Sequence, residues 1–206
     1  MMNYQKPDYW ADRARKEAYP ARSVYKLKEI EEKFGLFKRA VSGTLHILDL
    51  GAAPGSWSLY SLRKLHVRCT LTAADLNELS RQYDAGLFDG DNFSFIQGDI
   101  TRTETREALL LRGPFDLMMS DAAPSTTGNR QVDTCRSLDL AEAVLTYAES
   151  GLKRGGNLVL KVFQGSETVD FLKRIRSIFF AGKTFKPEAC RPTSFETYII
   201  GLGKLK

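Results

Sequence analysis

Leu48-Asp49-Leu50-Gly51-Ala52-Ala53-Pro54-Gly55-Ser56-Trp57 runs an apolar stretch into a glycine-punctuated turn and an aromatic residue. That order of residue types can bring bare backbone against a ligand. Gly51 and Gly55 can take backbone angles and close approaches that a Cβ forbids. At the carboxyl end of a parallel strand, such a turn is where open α/β sheets bind nucleotides. The spacing departs from the dinucleotide pattern G-x-G-x-x-G, because Ala53 stands at the second glycine and Pro54 follows it. Pro54 removes a backbone donor and fixes φ, which suits a stiff loop beside an adenosine-type ligand better than one cradling a pyrophosphate. The turn favours S-adenosylmethionine over NAD.

Acidic residues extend the pattern. Asp49, Asp75, Asp99 and Asp121 each fall at or near the end of an apolar, strand-like run. Asp75, about twenty residues after the turn, is placed to accept hydrogen bonds from both hydroxyls of a ribose. Asp99 can accept from an adenine amino group, and Asp121 can face the cationic end of a methionine-like ligand. Any one of them alone reads as a cap or turn residue; in register on successive strands they read as a binding set. Ser120-Asp121-Ala122-Ala123-Pro124 carries small residues and no aromatic. Enzymes that methylate amino groups place prolines and an aromatic there, so base nitrogens are disfavoured as targets. Cys135 and Cys190 lack basic or Pro-Cys neighbours, which weakens the case for methylation at a base carbon. Lys161 interrupts the apolar run 158–163 and reads as a buried strand lysine rather than a solvated one.

These residues need a sheet to hold them. Strand-like runs occupy 45–50, 69–74, 93–97, 115–119 and 157–163, with two more at 184–189 and 197–202 forming a hairpin-like finish. Helical spacing marks 19–36, where Val24, Leu27, Ile30 and Phe34 recur with charges between them, and also 57–65, 103–111, 137–151 and 168–179. Gly155-Gly156 reads as a turn before the 157–163 strand. Alternation of strand and helix predicts an α/β fold with a mostly parallel sheet and helices on both faces.

Length and charge bound the rest. The chain of 206 residues fits one domain with a substantial core. No apolar run approaches the roughly 20 residues of a membrane helix, and the first residues lack the apolar core of a signal peptide. Three scattered cysteines (Cys69, Cys135, Cys190) indicate neither a disulfide framework nor a metal site, so a cytoplasmic protein is expected. The net charge of +5 is uneven: residues 1–28 hold seven basic against three acidic side chains, and residues 173–206 eight against two. Basic ends on a mildly acidic body predict a polyanion footprint, with Lys6, Arg13, Arg15, Lys16 and Arg22 at one end and Lys183, Lys186 and Arg191 at the other.

With Asp49-Leu50-Gly51-Ala52-Ala53-Pro54-Gly55, Ser120-Asp121-Ala122-Ala123-Pro124 and Lys161-Val162-Phe163-Gln164-Gly165 in view, the chain resembles the FtsJ/RrmJ family of ribose 2′-O-methyltransferases, from about Tyr19 onward. Its nearest likeness is to the bacterial branch acting on large-subunit ribosomal RNA. The resemblance implies a Rossmann-like, S-adenosylmethionine-dependent methyltransferase over 1–206. It implies a seven-stranded sheet with an antiparallel C-terminal strand, the segment 1–36 aiding RNA binding. The family's Lys-Asp-Lys-Glu tetrad falls on Lys26, Asp121, Lys161 and Glu196, and its cofactor contacts on Gly55, Trp57, Asp75, Asp99 and Asp121, beside Gly51 of the turn. The implied substrate is a uridine in the A loop of 23S rRNA within the large ribosomal subunit, and the implied state is a monomer without a required metal. Ser56 departs from the usual second glycine, and 191–195 is less arginine-rich than the family's approach to the glutamate.

The implied chemistry is physically coherent. A ribose 2′-hydroxyl is a poor nucleophile near neutral pH and must lose its proton as the methyl group moves. Lys161, buried beside the Lys26 cation, is the candidate to take it; Asp121 and Glu196 orient the lysines, and in-line positioning contributes further acceleration. The alternatives are a tRNA ribose as substrate, or a non-catalytic RNA-binding module on the same fold. The Ala-Ala-Pro turn and the placement of His46 and His66 away from any plausible site disfavour a dehydrogenase.

Overall fold

The computed structural model describes residues 8–38 and 43–206. The elements run α1 (Tyr9–Lys16), α2 (Val24–Phe34), β1 (Leu45–Leu50), α3 (Ser56–Leu65), β2 (Cys69–Asp75), β3 (Phe93–Gln97), α4 (Thr103–Leu110), β4 (Phe115–Ser120), α5 (Arg130–Gly151), β5 (Leu152–Phe163), α6 (Thr168–Ile178), β6 (Phe179–Phe185) and β7 (Glu196–Lys204). They form a seven-stranded sheet in the order β3-β2-β1-β4-β5-β7-β6. Pairings are parallel from β3 to β5. Strand β7 enters antiparallel between β5 and β6, so the expected antiparallel C-terminal strand is present.

Side chains on successive strand residues point to opposite faces, and β1 shows it. Leu45 and Ile47 pack into one core with Val24, Leu27 and Ile30 of α2 and Trp57 and Leu59 of α3. Leu48 and Leu50 pack into the other with Val144, Leu145 and Tyr147 of α5 and Phe171 and Ile175 of α6. Burial on both faces is why the strands read as continuous apolar runs. Each fully buried Leu or Ile contributes about 1.5–3 kcal/mol relative to exposure. The chain moves outward from β1 to β2 and β3, then returns to place β4 on the other side of β1. That reversal leaves a crevice at the carboxyl ends of β1 and β4, the usual ligand position in open α/β sheets.

Five elements differ from the sequence expectation, and the first is the helix expected over 19–36, which is confined to α2 at Val24–Phe34. Helix α1 was not expected; it starts on the Asp8 side chain, which accepts from the Ala11 N–H at 3.2 Å, and Trp10 packs its ring 5.0 Å from that of Tyr25. Helix α5 starts at Arg130 rather than 137, because Asn129 caps it by accepting from Gln131 and Val132. Gly155-Gly156 is not a turn before β5 but lies within it, where the β4–β5 register shifts between Phe115 and Leu117, the signature of a bulge. Strand β6 covers Phe179–Phe185 instead of 184–189; its pairing with β7 as a closing hairpin is as expected.

Candidate active site

At the crevice lies a cleft of about 330 Å³, within the range of small-molecule sites. Gly51, Ala53, Asp75, Asp99 and Asp121 line it together with small residues such as Ala122 and Ala123. Gly51 has φ +74° and a Cβ there would collide with Ala122, so only glycine lets the β1 turn pass beneath the β4 loop. Gly55, at φ +104°, leaves room for the Phe88 ring, which a Cβ would meet at 3.0 Å.

Asp75 ends β2 facing this turn. One carboxylate oxygen accepts from the Ala53 N–H at 3.0 Å and the other from the Asn77 N–H at 2.8 Å. These bonds fix its orientation and leave lone pairs for a diol. Asp99 sits beyond β3, where side-chain and backbone hydrogen bonds from Thr101 hold its carboxyl below the usual range. Asp49 behaves otherwise. It is buried, outside the cleft lining, and accepts from Ser58 Oγ at 2.6 Å. Trp57 is also buried away from the lining, its indole N–H donating to the Ser23 carbonyl at 2.8 Å. Gly55 is likewise absent from the lining; it caps α3, whose first-turn N–H groups have no partners within the helix.

Beside the cleft, Lys26, Asp121, Lys161 and Glu196 converge from α2, the β4 loop, β5 and β7. Their side chains are only 8–17 % exposed. Lys161 Nζ lies 3.1 Å from Asp121 Oδ1 and donates to the Asp121 carbonyl at 2.5 Å. Lys26 Nζ lies 2.9 Å from Glu196 Oε1 and 4.0 Å from Asp121 Oδ1. A fifth member escaped the sequence reading: Tyr198 donates its hydroxyl to Asp121 Oδ1 at 2.6 Å. Glu196 and Tyr198 are two apart on β7 and so share a face, and Tyr198 is the direct cross-strand partner of Lys161. That spacing was the available signal.

Burial pushes the Asp121 carboxyl up, but the Lys161 and Lys26 charges and the Tyr198 and Lys161 hydrogen bonds outweigh it, holding the acid below the usual carboxylate range. Burial would lower Lys26, yet Asp121 and Glu196 more than offset it, so its ammonium is held charged. Cys190 lies beside Glu196 with its thiol pushed up to about 12, chiefly by burial, and is unreactive.

Loop ties bring the distant members together. Ser56 Oγ accepts from the Ala21 N–H at 2.8 Å and donates to the Ala21 carbonyl at 3.2 Å, binding the glycine turn to the approach of α2. Glu29 of α2 accepts from the N–H groups of Glu188 and Ala189 at 2.7 and 2.9 Å, and Arg22 donates to the Ala189 carbonyl at 2.6 Å. The β6–β7 loop that leads to Glu196 is therefore held on α2, which carries Lys26.

The expected basic footprint is thinner than the sequence implied. Arg22 is committed to Asp8 and Ala189, Arg13 to Glu17, and Arg15 to Asp12. Lys186 donates to the Ser194 carbonyl, whereas Lys16, Lys183 and Arg191 are exposed. Lys6 lies outside the described residues. Among those residues no cluster of three or more His, Cys, Asp or Glu converges as a metal site, and no helix is long and apolar enough to cross a membrane.

Known proteins resemble this chain in sequence and in fold. The chain is 48 % identical over 199 residues to ribosomal RNA large subunit methyltransferase E of Treponema denticola, covering 97 % of this chain and 96 % of that protein. It is 43 % identical over 194 residues to the protein of that name from Borreliella afzelii, covering 94 % and 96 %. A Plasmodium falciparum structure assigned as a ribosomal RNA methyltransferase shares the fold, with a TM-score of 0.75 at 24 % identity over 91 % of this chain and 99 % of that one. Human methyltransferase-like protein 13, solved with S-adenosylhomocysteine, shares it more distantly, with a TM-score of 0.56 at 14 % identity over 83 % and 76 %. Residues 19–204 match the family described as FtsJ-like methyltransferase, and with the tetrad and the acid-lined cleft in place, the chain belongs to that family.

Proposed function

We propose that this protein transfers a methyl group from S-adenosylmethionine to a ribose 2′-hydroxyl of large-subunit ribosomal RNA, at a uridine of the A loop. The observation that carries the reading is the convergence of Lys26, Asp121, Lys161 and Glu196 on the flank of an acid-lined cleft.

The cleft suits that cofactor. Among the described residues its lining holds three aspartates and no lysine or arginine, which favours a cationic sulfonium with a ribose over a pyrophosphate. Asp75 would hold the ribose hydroxyls, Asp99 the adenine edge, and Asp121 and the first turn of α3 the methionine end. When bound, S-adenosylmethionine supplies an already activated methyl.

The protein's own task is to place and deprotonate the acceptor. As the free amine, Lys161 has two N–H groups, which donate to the Asp121 carboxylate and carbonyl, and one lone pair, which faces the ribose hydroxyl and takes its proton to give the ammonium. Lys26, paired with Glu196, adds a fixed positive charge that favours the developing alkoxide. Tyr198 and Lys26 keep Asp121 aligned beneath Lys161.

The test is labelled methyl transfer to large subunits from a modification-deficient strain, to naked rRNA transcript and to tRNA, followed by mapping of the methylated nucleotide. Large subunits should be the best substrate, with activity falling steeply as salt rises. Faster methylation of free tRNA would overturn the reading.

A further inference from the structure

A second cleft, of about 390 Å³, shares no lining residue with the first. The opening turns of α5 and the β5–α6 turn form its walls, with Arg130, Gln131 and Cys135 on one side and Gln164, Ser166 and Glu167 on the other. It is joined to the reacting cluster through the chain. Gln164 follows Lys161 by one strand end, and its N–H donates to the carbonyl of Phe195, the neighbour of Glu196, at 2.9 Å. Phe195 packs on Phe163 with ring centroids 4.7 Å apart, and the Arg130 guanidinium stands 5.3 Å from the Phe195 ring.

The chemistry of this cleft does not fit a simple anion, because Glu167 would repel it. Nor does it suit a wholly apolar ligand, because amides, hydroxyls and charges share the walls with Cys135 and Gly165. A nucleotide fits each part. A guanidinium flanked by an aromatic ring offers a stacking plane or a phosphate contact. Two glutamine amides match the donor and acceptor edge of a base, and a carboxylate accepts from an exocyclic amino group. We propose that this cleft receives the nucleotide adjacent to the methylated ribose, with Arg130 against its ring or phosphate and Glu167 reading an amino-bearing base. The inference rests on the RNA reading above and adds a specificity element to it, since phosphate contacts alone do not discriminate sequence.

Cys135 supplies the probe: it is exposed in this cleft, whereas Cys69 and Cys190 are buried. N-ethylmaleimide labelling of Cys135 is followed for the protein alone, with S-adenosylhomocysteine, and in the sedimented complex with large subunits. Subunits should slow labelling by about tenfold or more, and S-adenosylhomocysteine should not. In parallel, Glu167→Gln and Arg130→Gln should raise KM for large subunits about tenfold, in keeping with loss of a base contact, while kcat and S-adenosylhomocysteine affinity stay within about twofold. Full-rate labelling inside the complex, or unchanged KM in both variants, overturns the proposal. If the wild-type protein methylates tRNA instead, the reading of the substrate falls, and the same labelling on the tRNA complex decides for or against the cleft.

Discussion

Ser56 and Ala21 are tied by two hydrogen bonds, one in each direction, through a single hydroxyl. The position at which the family resemblance expects glycine is thus a strap between the cofactor-side turn and the segment leading into α2. Because α2 carries Lys26, the strap couples the placement of the donor to that of the acceptor cluster. Ser56→Ala removes both bonds and leaves the Ala21 N–H without its partner, while the Ala21 carbonyl keeps the Val24 N–H at 3.4 Å. Unfolding in urea should show a loss of about 1–3 kcal/mol, with kcat reduced and cofactor affinity, measured by calorimetry, nearly unchanged. Wild-type stability and turnover in the variant would show the strap to be idle.

Lys161→Ala should abolish methyl transfer while leaving S-adenosylmethionine affinity close to wild type, because the lysine addresses the acceptor. Lys161→Arg separates two roles: arginine keeps the charge but cannot give up its proton. Single-turnover rates are the measurement. Loss in both variants supports proton transfer by Lys161, and retained activity in the arginine variant reduces it to an electrostatic role.

Asp75→Ala should weaken cofactor binding by about 1.5–3 kcal/mol, the usual scale for hydrogen bonds to a charged group. The folded state should persist, since among the described residues Asp75 orders the Ala53 N–H and the backbone and side-chain N–H groups of Asn77 and nothing more. Unchanged affinity in calorimetry would remove Asp75 from the ribose site.

Stability should carry the imprint of Asp49, whose carboxyl is pushed up to about 7, mainly by burial, against the opposing Ser58 hydrogen bond and with the Asp121 and Asp75 charges adding to it. The folded state retains a proton that the unfolded chain releases in the ordinary carboxylate range. Stability contributed by Asp49 therefore falls as pH rises between those two values and levels off above about 7. Asp121, held low, acts in the opposite sense and at the acid end: its contribution is lost as pH falls through its folded value. Asp49→Asn is neutral at every pH and can still accept from Ser58. Urea unfolding at pH ~5 and ~8 should show the variant gaining on wild type at the higher pH; parallel curves would refute the assignment.

The parallel half of the sheet was legible because two-sided burial writes strands as unbroken apolar runs, and β1 and β3 match the expected spans residue for residue. Two of the misread elements share a cause: the information lay in single polar contacts rather than in periodicity, Asp8 starting α1 and Asn129 starting α5. The bulge at Gly155 rests instead on backbone conformation, a φ of +74°. The site divides the same way. Residue types and family motifs placed Lys26, Asp121, Lys161 and Glu196 together, as the distances among them now show. Tyr198 and the Ser56 strap were missed, because a tyrosine in an apolar strand and a serine in a turn signal nothing until their partners are known. Trp57, chosen for its place in the motif, lies outside the cleft lining and braces the start of α2 through Ser23.

Strand β7, threaded between β5 and β6, also sets an order in time. Lys161 and Asp121 belong to strands made earlier, but Glu196 and Tyr198 arrive only with β7, after every other strand has been synthesised. Until β7 is made, Lys26 lacks its nearer partner Glu196, keeping only Asp121 at 4.0 Å, and Asp121 lacks the Tyr198 hydroxyl. The four-residue cluster is therefore complete only once β7 is in place.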